Sequence, residues 1–569
     1  MHSVVNDASI PDDCGVAIEY QIPQTSKRLD FILTGSGKNN EEYAILIELK
    51  QWSTATISDK DAIISSFVGK RERELLHPSY QAWSYAALLY NFNETVQEEN
   101  IGLKPCAYLH NYAKDDVISN SHYQEYIDKA PLFLKGDALK LRAFITEYVR
   151  KGDRSKILYR IEQGKIRPSK MLADSMVSLI NGNQDFVMID DQKLVYESAI
   201  KMVKSATVNK KKVLIVKGGP GTGKSVVAIN LLVELTKQLL LTQYVSKNAA
   251  PREVYQSKLT GHRKKSEISN MFRGSGGFFN TKVNTFDALI VDEAHRLNEK
   301  SGLYGNLGHN QIKELIQSAI CTIFFLDEDQ RVTLKDIGSV AEIRHWAERE
   351  DAEVVEMELQ SQFRCGGADG YLAWLDNTLQ IRETANTTLT NINYEFKIFS
   401  SPLELKEAIV KKNAINNKSR MVAGYCWKWK SKKNRDAYDV VIPEYDFEMK
   451  WNLTEDGSKW IIAPESVNEV GCIHTCQGLE VDYIGVIIGP DLIANNNELI
   501  AQPEKRDSAD STVRGYKKLL QENPDETKRR LDLIIKNTYR TLMTRGMKGC
   551  YVYFTDPQME KYFSAKIKQ

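Results

Sequence analysis

The chain has 569 residues, of which 42% are hydrophobic and 27% charged, and its 76 Lys and Arg nearly balance its 75 Asp and Glu. This balance excludes a bulk polycation, so any contact with nucleic acid must come from local basic patches. The composition is that of a soluble globular protein of three or four domains, and no apolar stretch is long enough to span a bilayer. The chain lacks a signal peptide, and its eight cysteines form no Cys-x-x-Cys pair, so we expect it in the cytoplasm, away from membranes.

Two strand-like runs near the N-terminus each carry an acidic residue. Asp30 lies in the first run, and Glu48 follows the apolar stretch of the second, with Lys50 two positions later. Period-two geometry puts Glu48 and Lys50 on one face of a strand. Asp30, Glu48 and the Leu49 carbonyl would then supply hard oxygen ligands for Mg²⁺, with Mn²⁺ as an alternative. Such a metal ion activates water for attack on a phosphodiester, and Lys50 would position the water or stabilise the developing charge.

Further residues with matching roles follow along the N-terminal segment. Gln81 and Tyr85 lie one turn apart on a helix-like stretch, and another strand-like run covers 104–110. Glu19 is a weaker candidate, because its neighbours indicate a strand rather than the acidic helix that we would expect there. In this order the motifs resemble the PD-(D/E)xK nuclease fold, which implies an α/β nuclease domain over residues 1–115. A domain that only binds its target is the alternative, since short motifs also occur by chance.

The next segments lead from this domain to a second motif. Residues 116–185 have a polar, helical rhythm without a chemical motif and are predicted to form a helical connector. Gln192 follows at the start of a helix-like segment, where its amide can both donate to and accept from an adenine. A strand-like run, a glycine-rich loop and a helix-like run then predict a phosphate-binding loop for ATP. The loop residues are Gly218, Gly219, Pro220, Gly221, Thr222, Gly223, Lys224 and Ser225.

Separate residues around this loop have the chemistry that ATP hydrolysis needs. Lys224 can reach the β- and γ-phosphates, and Ser225 can hold Mg²⁺. A second buried strand ends in Asp292, placed to hold Mg²⁺ directly or through water, and in Glu293, placed to polarise the attacking water. A third strand ends near Gln330, which is suited to sensing the γ-phosphate.

The second half of the chain repeats the alternation of strands and helices. Its strand-like runs cover 421–426, 483–488 and 549–554, its helix-like runs 515–540 and 537–545, and its polar, loop-like segment 494–514. We therefore expect two lobes, 186–365 and 366–569, each a doubly wound parallel sheet of the RecA-like kind, with ATP between them. Arg364 and Arg545 lie where the second lobe could offer them to the γ-phosphate, whose charge an arginine stabilises.

The ordered set of these motifs resembles superfamily 1 helicases and translocases, and more closely their Schlafen-type branch. The resemblance covers 186–569 and rests on Gln192, 218–225, Asp292, Glu293, 327–330, Arg364, 477–480 and 539–545. It implies an ATPase that uses Mg²⁺, and it adds Gly478 and Glu480 to the ATP site. It also implies that Asn248, Pro251 and Arg252 belong to a strand-end loop that touches single-stranded nucleic acid.

A second candidate nucleic-acid surface follows the first strand of the second lobe. Trp427, Lys428 and Trp429 alternate aromatic rings with a cation, as a base-stacking surface does. A solvated loop beside a strand end is the alternative.

These features favour an ATP-dependent nuclease and helicase or translocase that acts on nucleic acid, with DNA favoured over RNA, in antiviral defence or DNA repair. An RNA-directed Schlafen-like nuclease is one alternative. The other is a nucleotide-gated binding switch without nuclease activity, with a protein partner or self-association. The short segment between Arg252 and Asp292 favours the switch somewhat, because helicases of this superfamily often carry large insertions there.

Overall fold

The computed structural model describes all residues except 23–26, 165–186, 260–267, 269, 303–305, 361–368, 390–391, 393, 453–459, 462, 477–480 and 569. The described residues form two units, one comprising those up to 164 together with 187–201, and the other comprising those from Met202 onward. Within this described part of the chain, no helix is both long enough and apolar enough to cross a bilayer.

The first unit is built around one mixed sheet with the strand order β1-β2-β3-β7-β8. Its elements are α1 (His2–Val5), β1 (Gly15–Gln21), β2 (Arg28–Ser36), β3 (Glu42–Lys50), β4 (Ala55–Ile57), β5 (Ile63–Val68), β6 (Arg71–Leu76), α2 (Pro78–Phe92), α3 (Glu94–Glu98), β7 (Gly102–Leu109), α4 (Gln124–Lys129), β8 (Leu132–Leu134), α5 (Ala138–Tyr148), α6 (Ile157–Gln163) and the start of α7 (Asp190–Ser205). Strands β1, β2 and β3 pair antiparallel, whereas β3, β7 and β8 pair parallel.

Strand β3 lies at the centre of this sheet, and its sequence explains why. The four residues from Ala44 to Ile47 are fully buried, as expected for a strand that is covered on both faces. Glu48 follows them directly, so the acid is drawn into the sheet by the apolar run before it. The last registered pair of β2 and β3 is Phe31–Ile47, which places Asp30 and Glu48 next to each other just beyond it.

Residues 116–163 do not stand apart from this unit as a connector would. They supply β8, which extends the sheet beside β7, and α5, whose Leu141 and Ile145 are fully buried in the core on one face of the sheet. β8 has only three residues, which is too short a run for its hydrophobic periodicity to identify it as a strand from the sequence. The structure therefore includes this part of the predicted connector within the first unit.

A small antiparallel sheet of β4, β5 and β6 lies between β3 and α2 in the chain. The turn between β4 and β5 carries three charged residues that bind α7. Asp59 pairs with Lys201 at 2.7 Å, and Lys60 donates to the Ser198 hydroxyl at 3.1 Å. Asp61 also pairs with α7, through the Lys193 ammonium at 2.7 Å. The first three turns of α7 are thus fastened to the first unit.

The second unit contains two parallel sheets, which confirms the expected α/β class. Its strands are β9 (Lys212–Gly218), β10 (Thr242–Ser246), β11 (Phe272–Arg273), β12 (Phe286–Asp292), β13 (Ala319–Leu326), β14 (Glu353–Leu359), β15 (Glu395–Ile398), β16 (Ser419–Ala423), β17 (Val440–Ile442), β18 (Phe447–Trp451), β19 (Glu469–Gly471), β20 (Val481–Ile488), β21 (Leu492–Asn495), β22 (Glu498–Ala501) and β23 (Gly546–Phe554). Its helices are α8 (Lys224–Lys237), α9 (Ala249–Leu259), α10 (Gln311–Ser318), α11 (Val340–Arg349), α12 (Asp369–Thr378), α13 (Pro402–Asn416), α14 (Ile473–Cys476), α15 (Tyr516–Glu522), α16 (Pro524–Met543) and α17 (Pro557–Lys568).

The sheet of the first lobe has the order β11-β10-β12-β13-β9-β14, and every pair in it is parallel. Parallel pairing brings the carboxyl ends of β9, β12 and β13 to one edge, where ligands bind in open α/β sheets. The second lobe has the order β15-β23-β20-β16-β19-β18-β17, in which the β17–β18 pair alone is antiparallel among the described strands.

Two predicted segments of the second lobe differ from their expected form. The polar stretch 494–514 was expected to be a loop, yet it contains most of the β21–β22 hairpin. The predicted helix 515–540 is divided into α15 and α16 at Asn523, because Pro524 fixes the backbone and lacks an N–H for a continuous helix.

Gly338 provides a test of the packing in the first lobe. A β-carbon there would lie 2.0 Å from the Ala294 carbonyl oxygen and 2.6 Å from the His295 α-carbon. Both are backbone atoms, so we expect Gly338→Ala to lower the free energy of unfolding by about 1–3 kcal/mol. Urea unfolding followed by tryptophan fluorescence measures the change. Gly276→Ala is the control, because its nearest neighbours would lie at an ordinary 3.7 Å; equal effects of the two variants would contradict the prediction.

Candidate functional site

The phosphate-binding loop connects β9 to α8. Gly221 and Gly223 have φ angles of 77° and 85°, which a residue with a side chain rarely adopts. Gly223 caps α8, so the first free amides of this helix point toward the loop, as in phosphate-binding helix termini. Thr222 donates from its hydroxyl to the Gly219 carbonyl at 3.1 Å and holds the loop closed on itself.

Lys224 is buried within this loop, with 6% of its surface exposed. Its ammonium donates to the carbonyl oxygens of Gly218 and Gly219, each at 2.7 Å. A phosphate that enters the loop would take over these donors, because a charged acceptor forms the stronger hydrogen bond. Pro220, which follows Gly219 in the loop, is also buried.

Ser225 and Asp292 are brought together across the sheet edge, as expected. The Ser225 hydroxyl donates to Oδ2 of Asp292 at 2.7 Å, and the Tyr244 hydroxyl donates to the same oxygen at 2.7 Å. Burial raises the pKa of Asp292, and the neighbouring charge of Glu293 adds to the effect. A hydroxyl oxygen and a buried carboxylate are hard donors that fit Mg²⁺. Tyr244 is an addition that no local sequence pattern indicates.

Glu293 adopts a left-handed backbone conformation, with φ of 55°, and lies next to a buried histidine. The Asp327 backbone N–H donates to Nδ1 of His295 at 3.2 Å, so the ring proton is on Nε2. Nε2 lies 3.1 Å from Oε2 of Glu293. Burial alone would raise the pKa of Glu293, but the contact with His295 and the charges of Lys224 and Arg545 outweigh burial and lower it. Glu293 therefore stays ionised, and its carboxylate can accept a hydrogen bond from a water molecule.

Arg545 reaches this site from the second lobe. Its Nη2 atom donates to Oε1 of Gln330 at 3.0 Å, and Gln330 in turn donates through Nε2 to Oδ2 of Asp327 at 2.7 Å. Both Arg545 and Gln330 are buried. The structure thus joins two residues that the sequence separates by 215 positions.

Arg540 lies in the last turn of α16, five positions before Arg545, and was not predicted as a site residue. Its guanidinium forms a buried ion pair with Asp376, and Asp376 also binds Arg382. The charge of Arg540 contributes to a lowered pKa at Asp327, where the opposing effect of burial is larger than any single charge. This pair holds α16 against α12 and thereby fixes where Arg545 emerges.

Three predicted members of the ATP site cannot be placed. Arg364, Gly478 and Glu480 lie outside the described residues. Gln192 is buried in the first turn of α7, within the residues that belong to the first unit, and its role toward adenine stays a prediction.

The first candidate nucleic-acid segment has a different form from the expected loop. Strand β10 ends at Ser246 and α9 begins at Ala249, so Pro251 and Arg252 lie in the first turn of a helix. Pro251 is buried, and Arg252 donates to the Asn248 carbonyl at 3.2 Å. Nδ2 of Asn248 is buried and has no hydrogen-bond partner within the described structure, so its amide is the member of this set with a donor to offer.

Part of the second candidate nucleic-acid surface packs against the protein core. Trp427 and Trp429 pack against the apolar core of the second lobe, and the Trp427 carbonyl accepts from the Trp451 indole at 3.0 Å. Lys428 between them is exposed, and Lys432 lies 5.6 Å from the Trp429 ring centre. The cations of this segment face solvent, while its rings are half-buried.

The N-terminal acids form a second candidate site, in the first unit. Lys50 donates to Oε1 of Glu48 at 2.6 Å, which places both side chains on one face of β3 as predicted. Asp30 accepts from the Leu49 backbone N–H at 2.7 Å. Leu49 therefore meets Asp30 through its N–H, and its carbonyl remains a predicted ligand.

Glu48 is the unusual member of this site. It is 2% exposed, and its Oε2 atom has no hydrogen-bond partner among the residues that the structure describes. Burial raises the pKa of Glu48 to about 7; Lys50 opposes this effect, and the charges of Asp30 and Asp190 add to it. A buried carboxylate oxygen with a free lone pair beside a second acid fits a hard cation. No group of three or more His, Cys, Asp and Glu with metal-binding spacing occurs in the described residues, so the protein would supply a small ligand set.

Gln81 and Tyr85, both on α2, lie beside Asp30 and Glu48. Gln81 donates to the Tyr85 hydroxyl at 3.0 Å, and this hydroxyl donates to Asp190 at 2.9 Å. Asp190 was not predicted as a site residue, and 105 positions separate it from Tyr85. Glu19 lies on exposed β1 and pairs with the exposed Arg28 at 3.0 Å, so nothing ties it to Glu48.

A phosphate loop, a strand-end acid pair and an arginine from a second parallel sheet define a P-loop ATPase of the helicase type. The chain belongs to the Schlafen group 3 DNA/RNA helicase domain family, whose profile matches residues 211–556. The match confirms the helicase-like ATPase that the motifs of this half predicted. The match does not include the first unit, so the assignment of that unit as a nuclease stays a prediction.

Individual relatives are more distant. An uncharacterized protein of Saccharomyces cerevisiae, YPL245W, is 25% identical over 402 residues, which cover 61% of this chain and 82% of that protein. The Pif1 helicase from Candida albicans aligns with 67% of this chain and 99% of its own at 11% identity and a TM-score of 0.29. The replication initiator DnaA bound to AMPPCP and single-stranded DNA aligns with 41% of this chain and 64% of its own at 15% identity and a TM-score of 0.19.

The geometry around Glu293 predicts a separation of binding from hydrolysis. Glu293→Gln removes the proton acceptor and keeps the shape, so we expect ATP turnover to fall at least about 100-fold. The affinity for ATP should change little, because Lys224 and Ser225 remain. Single-turnover hydrolysis and equilibrium nucleotide binding measure the two quantities. The exposed Glu299→Gln is the control, and unchanged turnover in Glu293→Gln would contradict the assignment.

The raised pKa of Glu48 predicts a pH-dependent stability. Between its ordinary value of 4.5 and about 7, the unfolded chain releases this proton while the folded chain keeps it, so folding weakens as pH rises. In chelator, Glu48→Gln should therefore stabilise the first unit by about 3 kcal/mol at pH 8 and by almost nothing at pH 4.5.

Hydrogen exchange of the β2 and β3 amides measures this difference. The control is Glu19→Gln, whose side chain is exposed and should show no such pH dependence. A stabilisation by Glu48→Gln that is equal at both pH values would show that burial of the charge is not its cause.

Proposed function

We propose that the chain is an ATP-dependent translocase on nucleic acid, with DNA favoured, whose ATP hydrolysis controls metal-dependent phosphodiester cleavage by the N-terminal domain. The contact between Arg545 and Gln330 carries the proposal for the motor. It makes the ATP site a product of both lobes, so hydrolysis and lobe movement are coupled. The unpartnered Oε2 atom of buried Glu48 supports the nuclease, because within the described structure it lacks the partner that such an atom needs.

Each residue of the ATP site has a role in this proposal. Lys224 leaves the loop carbonyls and binds the terminal phosphates. Glu293, kept ionised beside His295, would orient the attacking water and take its proton as the bond to the phosphate forms. Arg545 stabilises the charge that spreads over the transferred phosphoryl group. Ser225 and Asp292 would hold Mg²⁺, which neutralises phosphate charge when bound.

In this proposal, loss of the γ-phosphate causes the two lobes to move relative to each other. Arg545 would bind the phosphate in the ATP state and Gln330 alone after release, so the two lobes prefer different arrangements in the two states. Asn248 on the first lobe and Lys428 on the second would grip the strand from either side. Alternation of these arrangements moves the lobes along single-stranded nucleic acid.

The N-terminal domain would cut the strand. Asp30 and Glu48 would hold Mg²⁺ or Mn²⁺, which activates water when bound. Lys50, which already binds Glu48, would turn toward the scissile phosphate and balance its charge. The strand order of the first unit, with three antiparallel strands followed by two that pair parallel, supports a PD-(D/E)xK-like domain. A role in antiviral defence or DNA repair in the cytoplasm belongs to the same proposal.

Two variants separate the motor from the nuclease. Lys224→Ala removes the buried cation at the phosphates, so ATP turnover should fall at least about 100-fold and ATP-dependent cutting should be lost with it. Glu48→Gln should lower cutting at least about 100-fold and leave ATP turnover unchanged. The assays use single-stranded and double-stranded DNA and matched RNA, with Mg²⁺ or Mn²⁺ and with or without ATP.

Two variants serve as matched controls and should behave as the wild type. Lys237→Ala changes a lysine at the opposite end of α8, and Glu41→Gln changes a glutamate in the turn before β3. Cutting by Glu48→Gln at the wild-type rate would refute the nuclease site. Cutting of RNA but not of matched DNA would select the RNA-directed alternative. ATP turnover with no cutting of any substrate would select the nucleotide-gated switch.

A further inference from the structure

Helix α7 brings an acidic residue into the N-terminal site. The Tyr85 hydroxyl donates to Asp190 at 2.9 Å from Oδ2 and 3.1 Å from Oδ1. Lys27, next to β2, pairs with the same carboxylate at 3.1 Å. Asp190 therefore contacts one residue of α2 and one just before β2, although it lies beyond the end of the predicted nuclease domain.

The position of one proton follows from these contacts. Tyr85 is 2% exposed, and its hydroxyl accepts from Gln81 at 3.0 Å. Its single proton is then committed to Asp190, because Gln81 can only donate through its amide nitrogen. Asp190 thus fixes both the ring and the hydroxyl of Tyr85 beside the buried acids.

The balance of charge in this site favours a cation. Asp30, Glu48 and Asp190 supply three carboxylates, and Lys50 and Lys27 supply two ammonium groups. Glu48 retains a buried oxygen without a hydrogen-bond partner among the described residues, which is a separate sign of a missing ligand. A divalent cation would satisfy that oxygen.

Asp190 is held in place by more than these two contacts. Its φ angle is 38°, a conformation that costs about 1 kcal/mol or more for a residue other than glycine and persists only where neighbours impose it. The turns of α7 that follow are fastened by Lys193, which pairs with Asp61 at 2.7 Å and with Glu197 at 2.8 Å. The start of α7 is therefore a fixed part of the first unit.

We propose that Asp190 is a positioning residue of the N-terminal metal site, acting through Tyr85 to keep the surroundings of Glu48 ready for a divalent cation. This inference rests on the proposed nuclease function. Asp190 itself is not a ligand in this scheme, which agrees with the absence of a three-acid metal cluster in the described part of the chain. Residues that orient metal ligands from behind typically change metal affinity by about 10–100-fold when altered.

The test measures Mn²⁺ binding by the full-length protein without nucleotide. Titration calorimetry of the wild type and of Glu48→Gln defines the Mn²⁺ binding that depends on Glu48. Asp190→Asn should weaken this binding at least about tenfold, and Tyr85→Phe should have a similar effect. The double variant should be no weaker than either single one, because both act through the same hydrogen bond. Asp191→Asn is the matched control and should bind Mn²⁺ like the wild type.

Each contrary result has a distinct meaning. If Glu48-dependent binding is present and Asp190→Asn retains it within about twofold, the inference is wrong and the proposed nuclease function stands. If the wild type shows no Mn²⁺ binding that Glu48→Gln removes, the proposed nuclease site is wrong and the inference falls with it. Thermal melting and ATP turnover report on folding. Should Asp190→Asn fail to fold, Tyr85→Phe decides alone, and full Mn²⁺ affinity in that variant refutes the inference.

Discussion

Burial of carboxylates at the ends of apolar strands is the constraint on which both candidate sites depend. Asp292 follows a fully buried run in β12, and Glu48 follows one in β3. A charge in such a place is stable only with partners that the fold must provide. For Asp292 these are the hydroxyls of Ser225 and Tyr244. For Glu48 the ammonium of Lys50 satisfies one oxygen only.

The second lobe contacts the first through two arginines. Arg545, two residues after the end of α16, donates to Gln330, and the exposed Arg382 pairs with Asp329 at 3.3 Å. Arg540 on α16 pairs with Asp376 of α12 inside the second lobe. The buried pair sets the position of the helix, and the contact with Gln330 is the one that a phosphate would change. The buried ion pair and the proposed response to nucleotide therefore depend on different arginines, one within α16 and one just after its end.

The sequence predicts those parts of the structure that depend on neighbours along the chain. The phosphate loop, the acids at strand ends and the shared face of Glu48 and Lys50 follow from local pattern, since strand and helix periods fix them. Contacts between distant segments carry no such pattern. Tyr244 on β10 looks like any buried strand tyrosine, and its bond to Asp292 depends on the strand order.

Short elements and boundaries are the other source of difference. The three-residue β8 is too brief for periodicity to reveal, so 116–163 was expected to lie outside the sheet that it extends. A loop was expected after β10, but α9 begins only three residues after the strand ends, so most of that segment is helical. Asp190 was not predicted as a site residue, because its partner Tyr85 comes from a different part of the chain.

The division between the two units falls inside α7, which has a consequence for how the halves can be inherited or separated. A polypeptide that began at Met202 would keep only the last turn of this helix, which includes the buried side chains of Met202 and Val203. One that ended at 164 would lack Asp190 and the lysine pairs of the same helix. A gene fusion that joined either half to a foreign partner would therefore keep α7 intact only if the exchange point lay outside residues 190–205.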